Sequence, residues 1–161
     1  MYTIIGLGNP GEEYSKTRHN AGKMAVEVLE NKEVKAKYIH QDTFMNKSGS
    51  AVSKVVKSKK AAEKLIVIYD DLDLPLGTMK ISYNRGSGGH KGLESVARAV
   101  KTKEFIRIRI GIGKKGDIEK HILGKFTPKE LLELKKVFKN LVTAVETIID
   151  DGYEAAMTQF N

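Results

Sequence analysis

Cysteine is absent from the 161 residues, which excludes disulfides, thiolate nucleophiles and cysteine-based zinc sites together. No proline, glycine and serine linker and no composition break divides the chain. Residues 1–161 are therefore expected to form a single domain around one core. No apolar run approaches the roughly 20 residues needed to span a bilayer. Met1-Tyr2-Thr3 leads directly into a strand pattern, without the charged and apolar regions of a signal peptide. The expectation is a soluble, cytoplasmic protein with no membrane partner. There is also no GxSxG elbow and no HExxH helix, so neither a serine acyl-enzyme nor a zincin is supported.

What is present is positive charge. Lysine and arginine number 28 against 20 aspartates and glutamates, a formal net charge of +8. Such a balance favours a polyanionic partner through counterion release and long-range steering.

Strand patterns fall at 2–7, 37–41, 65–69, 79–83 and 105–112, with helical patterns at 20–31, near 47–58 and at 91–101. This alternation predicts an α/β fold: a single domain with a mixed, mostly parallel twisted sheet flanked by helices on both faces. The last helix is the clearest. Thr127, Pro128 and Glu130 form a capping box with proline in the first turn, Gly152 supplies the stop, and Leu131, Leu134, Phe138, Leu141, Val145 and Ile148 make a core-facing stripe. In the run 105–112, Ile106, Ile108, Ile110 and Ile112 share one face and Arg107 and Arg109 the other. One sheet face is therefore expected to be wet there, its arginines either solvated or contacting phosphate.

Two glycine patterns invite a nucleotide and fail to support one. Gly6-Leu7-Gly8-Asn9-Pro10-Gly11 follows a strand, but residues 12–19 lack helical periodicity and no acidic residue closes a second strand for a ribose. Gly111 to Gly116 matches the same expression, which shows how little it discriminates. The stretch Arg85-Gly86-Ser87-Gly88-Gly89-His90-Lys91-Gly92 misses the GxxxxGK[ST] spacing, and is better understood as a loop presenting His90 and Lys91.

Chemistry-capable side chains concentrate between the first strand and first helix, where Asn9, Tyr14, Arg18, His19 and Asn20 occupy a connection far longer than the usual 2 to 6 residues. His19 ends that loop. Asp70 directly follows the apolar strand at 65–69, where open α/β sheets place functional groups. Asp70, Asp71 and Asp73 crowd like charges that need compensation, by a metal or by cationic and hydrogen-bonding neighbours. The preferred arrangement is one carboxylate orienting His19 as a general base. Asn9 and Asn46 offer neutral amides suited to holding a water or polarising a carbonyl, although Asn46 also stands where a helix cap would. His40 and His121 carry no spacing pattern and are expected to be surface or structural.

With these residues assembled, the chain resembles the bacterial peptidyl-tRNA hydrolases. The resemblance rests on GLGNPGEEYSKTRHNAG, TFMNKSG, YDDLDLPLG, GSGGHKG and RIRIGIG, in the family's order over nearly the whole length. It implies hydrolysis of the ester between a peptide and the 3′ ribose of tRNA, recycling dropped-off peptidyl-tRNA, by a monomer without metal or cofactor. On these positions His19 would be the base and Asp70 its orienting carboxylate. Asn9 and Asn46 would position water and the peptide main chain, Tyr14 and Met45 would shape the channel, and His90 and Lys91 would contact substrate. Arg109 lies on the strand carrying the family's phosphate-binding arginine, with Lys80 and Arg85 as further phosphate contacts.

Two departures stand out. Lys91 occupies the position where most members have asparagine after the histidine. The segment between the first helix and Thr43 is short, with Gln41-Asp42 where Pro-Gln is common, which implies a trimmed sheet edge. Two alternatives compete: a catalytically silent RNA-binding relative of the same fold, against which His19, Asp70, Asn9 and Asn46 together argue, and a nucleotide-dependent oxidoreductase, which the missing helix after Gly11 disfavours.

Overall fold

A computed structural model describes all 161 residues. Strands β1 (Thr3–Gly6), β2 (Lys37–Ile39), β3 (Leu65–Asp71), β4 (Met79–Tyr83) and β5 (Ile106–Gly111) form one sheet in the order β2-β1-β3-β5-β4. Every neighbouring pair is parallel except β4 with β5, which is antiparallel. The mixed, mostly parallel sheet expected from the alternation of patterns is thus present. The edge strand β2 has only three residues.

Alternation along the strands divides the one core expected from the sequence into two, because the sheet runs between them. Ile4, Ile66, Ile68, Ile106, Ile108 and Ile110 pack with helices α1 (Ala21–Asn31) and α6 (Pro128–Asp151). Ile5, Leu7, Val67, Tyr69 and Phe105 pack on the opposite face with α2 (Ser48–Ser53) and α4 (Lys91–Val100). No helix is long and apolar enough to cross a membrane.

The long helix α6 has the ends its sequence specifies. The Thr127 hydroxyl accepts the Glu130 N–H, the Glu130 carboxylate accepts the Thr127 N–H, and Gly152 follows at φ 93°. Elsewhere the boundaries differ. The pattern near 47–58 gives only α2, and a short α3 (Lys59–Ala62) starts beyond its end, where the Ser58 hydroxyl accepts the Ala61 N–H. Three helices lie outside the sequence patterns: α3 and α5 (Ile118–Leu123), both too short for a periodic stripe, and α7 (Tyr153–Phe160), which restarts just after the glycine that ends α6.

The arginine face of β5 is not wet. With β3 on one side and β4 on the other, β5 is an interior strand, and Arg107 and Arg109 are only 1% and 8% exposed. Arg107 stacks over the Phe105 ring and donates hydrogen bonds to the carbonyls of Lys103, Phe105 and Arg85. Burial pulls its pKa down to about 10, which leaves it charged at neutral pH. Arg107 is therefore a structural staple that holds the base of the glycine-rich loop to the sheet.

Helix α1 approaches the sheet backbone through glycine. A Cβ on Gly22 would lie 2.1 Å from the Ile68 carbonyl oxygen, and one on Gly6 would lie 2.1 Å from that of Gly22. Neither neighbour is a side chain that can swing away. Gly22→Ala is expected to cost about 3 kcal/mol or more, since overpacking against backbone cannot be relieved by rotamer change. Urea unfolding measures this directly, and a loss below about 1 kcal/mol would contradict the close packing.

Candidate active site

The site lies beyond the carboxyl ends of β1 and β3, where open α/β sheets leave a crevice. The loop after β1 is braced on both flanks. Asn9 and Asn20 clasp each other, the Asn9 N–H donating to Asn20 Oδ1 at 2.8 Å and Asn20 Nδ2 donating to the Asn9 carbonyl at 2.9 Å. The Gln41 amide donates to the Gly8 carbonyl, and the Met45 N–H donates to Asn9 Oδ1. These bonds assign the Asn9 side chain: its oxygen is engaged and its amide N–H groups have no protein partner.

Farther along, two short 3-10 turns at Glu12–Tyr14 and Arg18–Asn20 replace the absent helix. Arg18 donates to the His121 carbonyl and pairs with Glu130 at 2.7 Å, the same carboxylate that completes the α6 capping box. His121 in turn donates from Nε2 to the Ile112 carbonyl, so it is structural, as expected. His40 is exposed beside Glu30. Arg18 and Asn20 thus fix the direction in which His19 points.

That direction is toward Asp70. His19 Nδ1–H donates to Asp70 Oδ2 at 2.7 Å, and His90 Nε2–H donates to Asp70 Oδ1 at 2.9 Å. A carboxylate can only accept here, so each named nitrogen carries its proton. This leaves Nε2 of His19 without a protein partner. Asp70 is 3% exposed. Burial pushes its pKa up, but the charge and hydrogen bonds of His90 and His19 outweigh that effect and hold it at about 2.

The acidic cluster is resolved one acid at a time. Asp71 pairs with Arg109 at 3.1 Å, and exposed Asp73 pairs with Lys114 at 2.7 Å, which lowers its pKa. Arg109 also donates to the Ser82 hydroxyl. A solvated Arg109 is therefore excluded, and any anion reaching it would share it with Asp71. The donor atoms of His19, Asp70 and His90 lie within 4.8 Å of one another. They are the grouping with metal-ligand character, but an ion among them would have to displace both N–H protons.

Asn9, His19, Met45, Asn46, Asp70, Arg85, His90, Lys91 and Arg109 all line one cleft of about 650 Å³. Tyr14 lies outside the lining and reaches it only through Phe44, whose ring it meets edge-on at 6.2 Å. Lys80 is also outside, exposed on β4 opposite Arg109. Asn46 sits in a 3-10 turn and caps no helix. His90 has no free ring nitrogen for a ligand, because Nδ1 accepts the Leu93 N–H at the start of α4. Phe44, Lys114, Ile118 and Ile122 complete the walls. The two isoleucines lie on the unforeseen α5, so no sequence signal placed them.

The peptidyl-tRNA hydrolase family model matches residues 3–161. The chain belongs to the peptidyl-tRNA hydrolase family. It is 41% identical to a peptidyl-tRNA hydrolase of Thermodesulfovibrio yellowstonii, covering 100% of this chain and 99% of that one, and 39% identical to one of Aquifex aeolicus, covering 98% and 95%. Among solved structures, the peptidyl-tRNA hydrolase of Acinetobacter baumannii superposes with a TM-score of 0.90 at 30% identity, covering 100% of this chain and 94% of that one. The first of these alignments spans 187 positions against 161 residues here, so that family member carries segments this one lacks.

The Asp70 carboxyl has a measurable consequence. Its folded pKa lies below the ordinary 3.8, so the unfolded chain takes up this proton first on acidification. The stability it contributes is complete above about pH 4 and is lost as pH falls toward about 2. The stability difference between wild type and Asp70→Asn should be constant at neutral pH and shrink over that window, as followed by denaturant unfolding. A difference independent of pH down to 2 would contradict the assignment.

Proposed function

We propose that this chain hydrolyses the ester joining a peptide's C-terminal carbonyl to the 3′ ribose of tRNA, with His19 as general base and Asp70 as the carboxylate that orients it. The observation that carries this is the 2.7 Å bond from His19 Nδ1–H to buried Asp70. In the neutral imidazole it selects the tautomer whose Nε2 is bare, in a cleft that an extended substrate could enter. The names of the relatives supply the substrate class.

In the reaction, His19 Nε2 takes a proton from water as the water oxygen attacks the ester carbonyl. Charge develops on the carbonyl oxygen, and we assign its stabilisation to the amide N–H groups of Asn9 and Asn46, which line the same cleft. Collapse of the tetrahedral intermediate breaks the bond to the ribose oxygen, which recovers the proton from the imidazolium. The products are a peptide carboxylate and a tRNA 3′-hydroxyl. Met45, buried under Asn9, holds the wall beside the attacked carbon, and Tyr14 backs it through Phe44.

Lys91, Arg85 and Lys80 carry exposed charge and are the groups we assign to acceptor-stem phosphates, with Arg109 contributing from its pair with Asp71. Contacts of this kind read charge and A-form shape rather than base sequence, which suits an enzyme acting on many tRNAs.

The test is release of peptide from N-blocked aminoacyl-tRNA. Wild type should turn over with EDTA present, and His19→Ala should lose about 10²-fold or more in kcat. Full turnover by His19→Ala would remove it as the base, while binding without hydrolysis by wild type would point to the silent RNA-binding relative. Arg85→Ala should weaken binding and reduce the slope of log K against log salt by about one. An unchanged slope would take Arg85 off the phosphate path.

A further inference from the structure

His90 stands apart from the other cleft residues because both of its ring nitrogens are committed within the protein. Nδ1 accepts the Leu93 N–H at 3.3 Å, making His90 the N-cap of α4, and Nε2–H donates to Asp70 Oδ1 at 2.9 Å. The first bond requires a bare Nδ1. Of the two tautomers it selects the one that bears its proton on Nε2, the one able to donate to the carboxylate. The ring is confined between two others, with centroids 5.0 Å from Tyr69 and 5.1 Å from His19. Its side chain is 9% exposed.

The carboxylate plane of Asp70, on β3, is free to turn about the Cβ–Cγ bond unless its oxygens are held. Were His19 its sole partner, the carboxylate plane could turn and carry the imidazole with it. A second donor on the other oxygen removes that freedom.

We infer that His90 is a positioning residue for the hydrolysis proposed above: its Nε2–H pins the Asp70 carboxylate plane, and through it the direction of His19 Nε2, while its Nδ1 ties that anchor to the start of α4. The orientation of the base then depends on the seating of α4, whose N-terminus follows the glycine-rich wall of the cleft. Gly92, two residues on, fits this seating tightly, since a Cβ there would lie 2.5 Å from the Met45 sulfur. The inference rests on the assignment of His19 and Asp70 as base and orienting carboxylate.

The cap and the anchor can be separated by His90→Asn. Asparagine is a strong N-cap, but it is too short to replace the imidazole at Asp70. The variant should keep the wild-type Tm, lose about tenfold or more in kcat, and hold KM within about twofold. The acid limb of its kcat profile should move to higher pH. Asp70, relieved of one donor, becomes the stronger acceptor and holds the proton on His19 more firmly; the titratable groups around the ring are His19, Tyr69 and Asp70. Low-field proton NMR supplies a readout that needs no turnover: wild type should show two hydrogen-bonded imidazole N–H signals from this cluster, His90→Asn only the one from His19. Wild-type kcat and pH profile in His90→Asn would reduce His90 to a helix cap and overturn the inference, and a raised KM with unchanged kcat would make it a substrate contact instead. If wild type hydrolyses no peptidyl-tRNA, the functional assignment fails, and the NMR signals still decide whether the anchor exists.

Discussion

A buried carboxylate is the constraint around which this structure is arranged. Removing an ionised Asp70 from water is costly unless each oxygen finds a donor, and nothing on β3 itself supplies one. The donors come from two connections far apart in sequence, the loop after β1 with His19 and the loop before α4 with His90. For both to arrive, α1 must lie against the sheet backbone at Gly22, and α4 must lie against Met45 at Gly92. The bracing of the first loop by Asn20, Gln41 and Arg18 serves the same end. A slack loop would leave the carboxylate half-solvated and the imidazole free to rotate.

The same logic distributes the cations. Two arginines of a strongly basic chain are spent inside it, Arg107 on carbonyls at the base of the glycine-rich loop and Arg109 on Asp71. Each acid of the 70–73 cluster has partners of its own, Asp70 in His19 and His90, Asp71 in Arg109 and Asp73 in Lys114. Uncompensated positive charge is left at the rim, on Lys80, Arg85 and Lys91. That gradient suits a polyanion held at the mouth while a neutral ester is attacked at the floor.

The parts of the fold legible in the sequence were those set by local physics. Strand alternation placed all five strands, and the capping box of Thr127 and Glu130 set the start of α6. The meeting of His19 and Asp70 was legible for a different reason, since strand ends and overlong loops are where such groups collect. What stayed hidden depended on partners distant in sequence. Arg107 and Arg109 alternate with isoleucine as solvent-facing residues would, and what engages them is brought from elsewhere in the chain, the Arg85 carbonyl for one and Asp71 and Ser82 for the other. Asn20 looks like any polar residue before a helix until Asn9 is found opposite. His90 reads as a loop histidine because neither the Leu93 N–H nor Asp70 announces itself in the motif. The helices α3 and α5 were lost to brevity and α7 to Gly152, which signals a stop whether or not a new helix follows.

Lys91 shows how a departure from the family pattern is absorbed. A cation in the first turn of a helix opposes the partial positive charge of that terminus, so helix stability does not explain it. Glu94, one turn on, supplies the acidic residue that such a terminus favours and accepts a bond from Ser87. The lysine side chain is exposed and lines the cleft, so its charge is left for the solvent and whatever anion enters. Compared with asparagine, it exchanges an amide's paired donor and acceptor for a longer reach and a full charge, a weaker means of orienting a peptide and a stronger one of holding a phosphate. On the proposed function, orientation would then fall more heavily on Asn9 and on the clasp with Asn20 that holds it in place.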